Sequence, residues 1–441
     1  MKKIIEKIKS LSSETINKNL IFIAILFLLF RIGNFTIGYI PKPFELIVLI
    51  IVLLTIIDVL KNNKIKEFFF SIPKNIRIAL ICLVFSVLFG WAVSILKGIP
   101  TTFNMILEFG SFVFSLSIFL LILFYTKNDK IYIKKYFYAL LIPIIYVIFV
   151  IFPELAYLLK TALEGHFVGF TTNPNIISKV LLIPIIFFSV KTLFEEKNKW
   201  FKLGYFALAS LSVSLLFWTS SRGAILSLIL GMIFIWLIFS FNHFNWGKLL
   251  KSGVTIFLIC LLGFILTSKG VKEGVANRIF NTKIIDIQTK NKPIIKIVDN
   301  KTITEILNNK ESVLIKLDSA NEIRLQIWSF YLRYLSMNPF GVGPNTHMNF
   351  NFIDNNGYYI RTGPHNTYIQ ILFWGGIVGL FSFIYILFFA LKNLKIKLQS
   401  NFNILTISLM AILFSLSISI TFDDSLSFYW FYIILALSLA I

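Results

Sequence analysis

Pro364-His365-Asn366-Thr367-Tyr368 leads without a break into Ile369–Ala390, IQILFWGGIVGLFSFIYILFFA, and this stretch decides the fold. The run carries no charge and is long enough to cross the hydrocarbon core of a bilayer, which takes about 20 helical residues. It follows a long polar segment, so an imidazole and an amide stand at the mouth of a membrane helix. Histidine as a residue type exchanges a proton near neutral pH and suits acid–base work at the bilayer surface. Taken alone, it reads first as an interfacial ring that anchors a helix end.

Runs of the same kind recur along the chain. Of its 441 residues, 57% are hydrophobic and 14% charged, and the mean hydropathy is +0.81. A soluble domain carries about 25% charged residues. The apolar runs fall near Leu20–Ile40, Glu45–Leu60, Ile78–Leu96, Phe103–Phe124, Tyr136–Phe152, Ile176–Val190, Leu203–Trp218, Gly223–Phe239, Val254–Leu266, Tyr368–Ala390, Leu405–Ile420 and Ser427–Ile441. No barrel-like alternation accompanies them, which predicts an all-α polytopic integral membrane protein of about 12 transmembrane helices. The expected division is helices 1–9 over residues 1–266, a large external loop over 267–367 between helices 9 and 10, and helices 10–12 over 368–441.

The loops alternate in charge. Lys2 to Lys18, Lys61 to Arg77, Lys127 to Lys135, Lys191 to Lys202, Lys248 with Lys251, and Lys392 to Lys397 form a basic set, and the loops between them are nearly uncharged. The positive-inside rule puts both termini in the cytoplasm and the long loop outside. The net charge of +21 is mostly this bias, so no nucleic-acid partner is needed to explain it. Met1–Asn19 reads as a basic tail before a start-transfer anchor, with no cleavage site after the first run. Cys82 and Cys260 fall inside spans and form no metal or disulfide pattern.

The long loop is polar enough to fold outside the membrane. Its first half, Val271–Asp318, alternates around Asp299-Asn300-Lys301 and suggests a β-hairpin. In its second half, Ala320–Ser336 sets Ile323, Ile327, Phe330, Tyr331 and Tyr334 at helical spacing, which predicts an amphipathic helix lying on the membrane. Asn338 to Pro344 then breaks that helix.

The polar clusters on the outer side have a common character. Asn173-Pro174-Asn175 precedes the sixth span, with Lys179 a turn inside it, and Ser220-Ser221-Arg222-Gly223 turns between the seventh and eighth. Arg324 and Trp328 lie on the loop helix, and Arg361, His365 and Asn366 close the loop. Arg31 points to the same half of the bilayer from the first span. Ordinary roles exist for several of them: Arg222 snorkelling, Asn173 capping a helix, Arg324 holding headgroups. A cation within a span, as at Arg31 and Lys179, usually lines a cavity or pairs with an anion. Cations gathered on one side without matching carboxylates are the footprint of an anionic ligand, and arginine's fork suits a diphosphate. No acidic set with metal-ligand spacing lies near His365, so no metal or other cofactor is expected.

Phe170-Thr171-Thr172-Asn173-Pro174-Asn175, Thr219-Ser220-Ser221-Arg222-Gly223-Ala224, Arg324-x-x-x-Trp328, Asn338-Pro339-Phe340-Gly341-Val342-Gly343 and His365-Asn366 followed by Gly375-Gly376-Ile377-Val378-Gly379 follow one another in an informative order. Together they resemble the O-antigen ligase and O-antigen polymerase superfamily of bacterial glycan-assembly membrane proteins, most strongly from Gly169 to Leu391. The resemblance implies transfer of a glycan from an undecaprenyl-diphosphate carrier to an acceptor glycan or lipid A core, without metal or nucleotide, at the periplasmic face of the bacterial inner membrane. Carried over by position, Arg222 and Arg324 would bind the diphosphate, and His365 would take or position the acceptor's hydroxyl proton. Arg31, Asn173, Asn175, Lys179, Ser221, Trp328, Arg361 and Asn366 would line the substrate site. An arginine-ten-glycine pattern found in some polymerase loops is absent here.

Two other classes compete. A flippase or transporter suits twelve spans, but lacks here the internal repeat and the midplane charges in both halves. A membrane anchor whose loop binds a partner needs none of the cationic clusters.

Overall fold

The computed structural model describes residues 13–28, 43–98, 103–127, 129–142, 174–194, 198–242, 246–267, 272, 313–316, 323–344, 350–353, 359–360, 363–422 and 428–441. In chain order the helices are α1 (Ser13–Phe27), α2 (Pro43–Lys61), α3 (Ile65–Ser71), α4 (Lys74–Leu96), α5 (Phe103–Thr126), α6 (residues 130–142) and α7 (Pro174–Phe194). They continue as α8 (Lys199–Trp218), α9 (Arg222–Asn242), α10 (Trp246–Leu266), α11 (Ile323–Met337), α12 (Thr367–Ser400), α13 (Ile404–Ser419) and α14 (Tyr429–Ala440). Among the described residues, eight helices are long and apolar enough to cross a membrane. The protein is a polytopic α-helical membrane protein.

Helix pairing follows the distribution of small residues. α4 packs most extensively on α12, α7 on α8 and α13, α8 on α10, and α9 on α13. A Cβ built on Gly231 of α9 would fall 2.0 Å from Ser415 Oγ of α13, and one on Gly263 of α10 would fall 2.5 Å from Val213 of α8. In lipid, where no hydrophobic force drives helices together, such close backbone approach supplies the packing. Serine hydroxyls inside the spans satisfy themselves on the preceding turn, as Ser227 does on Gly223 O (2.7 Å) and Ser438 on Ile434 O (2.7 Å). α7 is the most enclosed span, with 83% of its apolar window buried, against 17% for α10. It forms the axis of the bundle, and α10 lies at its edge.

Several sequence expectations change. α1 begins at Ser13, inside the expected tail, because its first turns find polar partners: Ser13 donates to Asp58 (2.7 Å), Asn17 to Tyr125 (2.7 Å) and Lys18 to Asp129 (2.9 Å). α11 forms where expected, but its apolar face does not lie on the bilayer. Ile327, Tyr331 and Tyr334 are each 1% exposed, and the two tyrosines pack on Phe373 of α12 with centroids 4.7 and 5.4 Å away. Burial there pushes the Tyr334 phenol up. Aromatic faces of this kind gain about 0.5–1.5 kcal/mol per ring pair beyond area burial, so a protein surface captures the helix. The segment Val313–Lys316 is a strand, β1, but it pairs in parallel with β2 (Phe350–Ile353) from the other half of the loop. β2 pairs antiparallel with β3 (Tyr359–Ile360). The expected hairpin around Asp299 lies outside the described residues.

The largest departure is in α12. It continues ten residues past the expected span, so the basic Lys392 to Lys397 segment is helix rather than loop, and it breaks at Gly376 (φ 63°, ψ −162°). The turn Asn338–Pro344 enters that break. Val342 N donates to Phe373 O (2.8 Å), Gly343 N to Trp374 O (3.0 Å) and Ile377 N to Pro339 O (3.3 Å). On its other side the turn meets α4, where Ser94 donates to Val342 O (2.5 Å) and Lys97 to the Asn338 side chain. Irregular backbone inside a membrane bundle persists only where protein satisfies its polar groups, and this turn does so.

Candidate functional site

One helix end and two helix starts form the first part of the site. α8 ends at Trp218, and Thr219-Ser220-Ser221 reverses the chain within three residues, with Ser220 in the left-handed region (φ 52°). Thr219 Oγ1 accepts from Ser221 N (3.3 Å), which holds the reversal open at the first residue of α9, Arg222. Ser221 Oγ donates to Asn175 Oδ1 (3.0 Å), tying the start of α9 to the start of α7. One turn further into α7, Lys179 is 2% exposed, with its Nζ 5.3 Å from the centroid of the Phe428 ring. The lysine is therefore enclosed by protein rather than by acyl chains. Arg222 is exposed and makes no hydrogen bond or ion pair with any described residue.

The second part is built around His365. Asn366 caps α12 by accepting from Tyr368 N (3.0 Å) and Ile369 N (3.1 Å), the role its residue type favours. Trp328 Nε1 of α11 donates to Pro364 O (2.6 Å). Held between these two fixed neighbours, His365 adopts φ 47°, unusual for a residue with a Cβ, and its ring is half-buried. Arg324 lies one helical turn before Trp328 on the same face of α11.

α13 joins the two parts. Tyr368 OH donates to Ser417 O near the end of α13 (2.9 Å). The 3₁₀ turn Ile420–Phe422 that follows seats Phe422 against Gly223, where a Cβ would fall 2.5 Å from the Phe422 side chain. Asn175, Lys179, Ser221, Arg222, Trp328, His365 and Asn366 thus belong to elements that meet at one end of the bundle. Arg31, Asn173 and Arg361 lie outside the described residues, as does the side chain of Arg324.

Sequence reasoning missed a buried polar group beside this end. Trp91 Nε1, Gln370 Oε1 and Trp374 Nε1 are buried without a hydrogen-bond partner among the described residues. Gln370 and Trp374 share a face of α12, and Trp374 packs on Phe112 (6.1 Å) while Trp91 packs on Phe109 (5.4 Å), one turn away on α5. Gly343 lies between them, its N–H on Trp374 O and its would-be Cβ 2.6 Å from Trp91 Cα. Two donors and one acceptor buried without a protein partner among the described residues mark a place that a polar ligand or water completes. Only the pairing of distant segments reveals it; locally each residue reads as part of an apolar span.

These features define a multi-pass membrane protein in which Lys179, Arg222 and the half-buried His365 lie on elements that meet at one end of the bundle. Residues 207–384, from α8 to the middle of α12, match the family model described as O-Antigen ligase, so this part of the chain is similar to that family. Members of that family are glycosyltransferase-like enzymes. Ser221, Arg222, Arg324, Trp328, His365 and Asn366 fall inside the matched segment. Among curated proteins none matches the chain.

Proposed function

We propose that this protein transfers a glycan from undecaprenyl diphosphate to an acceptor hydroxyl, on lipid A core or on a growing polysaccharide chain, at the periplasmic face. One observation carries the reading. Arg222 opens α9, Arg324 is the second residue of α11 and Lys179 stands early in α7, and none of these helices has an acidic residue in its first turn. A helix start is itself electropositive, so a cation there is opposed by about 0.3–1 kcal/mol. A bound anion reverses that balance, because cation and helix start then attract it together.

In this reading Arg222 and Arg324 hold the diphosphate through parallel N–H donors, with Lys179 and Arg31 neutralising charge deeper in the bundle. The acceptor oxygen bonds to the anomeric carbon as the bond from that carbon to the diphosphate oxygen breaks. The bonding pair stays on the departing oxygen, stabilised by the guanidinium groups, and the hydroxyl proton passes to a ring nitrogen of His365. Attack opposite the leaving group inverts the anomeric centre. Asn173, Asn175, Ser221, Trp328, Arg361 and Asn366 shape the site, and sugar hydroxyls reaching Trp91, Gln370 and Trp374 would satisfy those buried atoms. No metal or nucleotide takes part.

The test is transfer by purified protein in vesicles containing an undecaprenyl-diphosphate glycan. Arg222→Ala should abolish product while inserting normally, and Arg222→Lys should recover only part of it, lacking the planar fork. Wild-type turnover by Arg222→Ala would remove the diphosphate role. Product on added lipid A core identifies a ligase; elongation of lipid-linked units without that acceptor identifies a polymerase.

A further inference from the structure

At the end of the bundle opposite His365, four elements enclose a cavity of about 130 Å³. Its walls are Lys130, Ile133 and Lys134 from the first turns of α6, Lys397 and Ser400 from the end of α12, the Asn401–Asn403 link, Leu405 and Thr406 from the start of α13, and Ile441. No carboxylate side chain lines it. The nearest in sequence, Asp129, is already bound to Lys18 (2.9 Å) and to Tyr132 N (3.3 Å). The three lysine side chains are exposed, and their ammonium groups make no hydrogen bond or ion pair with any described residue.

Lysines scattered over a cytoplasmic surface need no ligand, since water solvates each. Here the fold concentrates three of them around one recess floored by buried Ile133 and Thr406. Lys130 and Lys134 stand at i,i+4, where like charges repel. The recess also receives the N-terminal turn of α13, a second source of positive potential, with Asn403 capping the Leu405 N–H (2.9 Å). The C-terminal turns of α12 and α14 also reach the recess and oppose this with about half a charge each, so the three ammonium groups set its sign. Size limits the occupant: the volume is that of about four waters at ~30 Å³ each, whereas sites for larger ligands run from about 300 Å³. A phosphoryl group fits; a nucleotide does not.

We propose that this recess binds a phosphoryl group, supplied by an anionic lipid headgroup of the adjoining leaflet or by free phosphate, and that the bound group clamps α6, α12 and α13 together. The site lies far from the catalytic end and is independent of the transfer reaction.

Thermal unfolding of the full-length protein in neutral detergent tests it, with short-chain phosphatidylglycerol, short-chain phosphatidylcholine or inorganic phosphate added. The wild type should gain roughly 2–4 °C with phosphatidylglycerol and nothing with phosphatidylcholine. A K130Q/K134Q/K397Q triple variant should lose the gain, and Lys395→Gln, which alters an exposed lysine outside the recess, should keep it. A gain with phosphatidylglycerol alone identifies the lipid as the source; an equal gain with inorganic phosphate identifies the free anion. No gain with either, or a gain that survives in the triple variant, overturns the proposal.

Discussion

His365 is where one residue's conformation and its chemistry can be separated. Its left-handed backbone follows from the bond that Trp328 makes to Pro364 O and from the Asn366 cap, so it belongs to the frame rather than to the ring. Asparagine tolerates that region well, whereas most L-residues do not. His365→Asn should therefore keep the thermal stability of the wild type while transfer falls by roughly two to four orders of magnitude. Carrier binding, measured by retention of labelled lipid-linked glycan, should persist. Equal losses of stability and transfer would instead make the ring a structural anchor. The residue itself was legible, because an imidazole after a long polar loop and before an uncharged run is rare in a membrane chain. Its backbone was not, since Trp328 lies more than 30 residues away in sequence.

At the scale of elements, hydropathy located most helices well, because a window near 20 residues measures the quantity a bilayer selects for. It failed at α12. Gly375-Gly376 sits in an uninterrupted apolar run, and nothing local distinguishes a break from a packing contact. The break exists because Val342, Gly343 and Pro339, from another part of the chain, take over the hydrogen bonds the helix gives up. A methyl group at Gly376 would lie 2.3 Å from Pro339 O, in a backbone region that disfavours side chains. Gly376→Ala should therefore destabilise the protein by about 1–3 kcal/mol, read as a lowered unfolding temperature. Gly110→Ala is the matched control, since a Cβ there meets nothing within 4 Å. It should be neutral or stabilising by up to about 1 kcal/mol, the helix-propensity gain. The loop sheet was missed in the same way as the break: β1 lies in the half of the loop that alternates, but its partner β2 does not.

At the scale of the whole molecule, the two ends of the bundle are held by different physics. The end bearing His365 is tied by caps, backbone bonds and glycine contacts, whose strength does not depend on pH. The opposite end, where the N-terminal helix docks, is tied by ionisable groups. Lys18 reaches Glu14 (2.8 Å) and Asp129 (2.9 Å), and Tyr136 OH donates to Lys18 O (2.9 Å). Burial opposes ionisation of Asp129, but the Lys18 hydrogen bond, the Tyr132 N–H and the Lys18 charge outweigh it and hold the carboxyl below the usual carboxylate range. A carboxyl depressed in the folded state stabilises that state at every pH above its unfolded value, about 3.9. The contribution disappears as pH falls through the lower, folded value. The stability difference between the wild type and Asp129→Asn should thus be constant from about pH 8 to 5 and shrink only below about pH 4. Thermal unfolding of both proteins across that range measures it. A difference that closes between pH 8 and 5 would mean that some other titrating group, rather than this carboxylate, fastens α1 to the bundle.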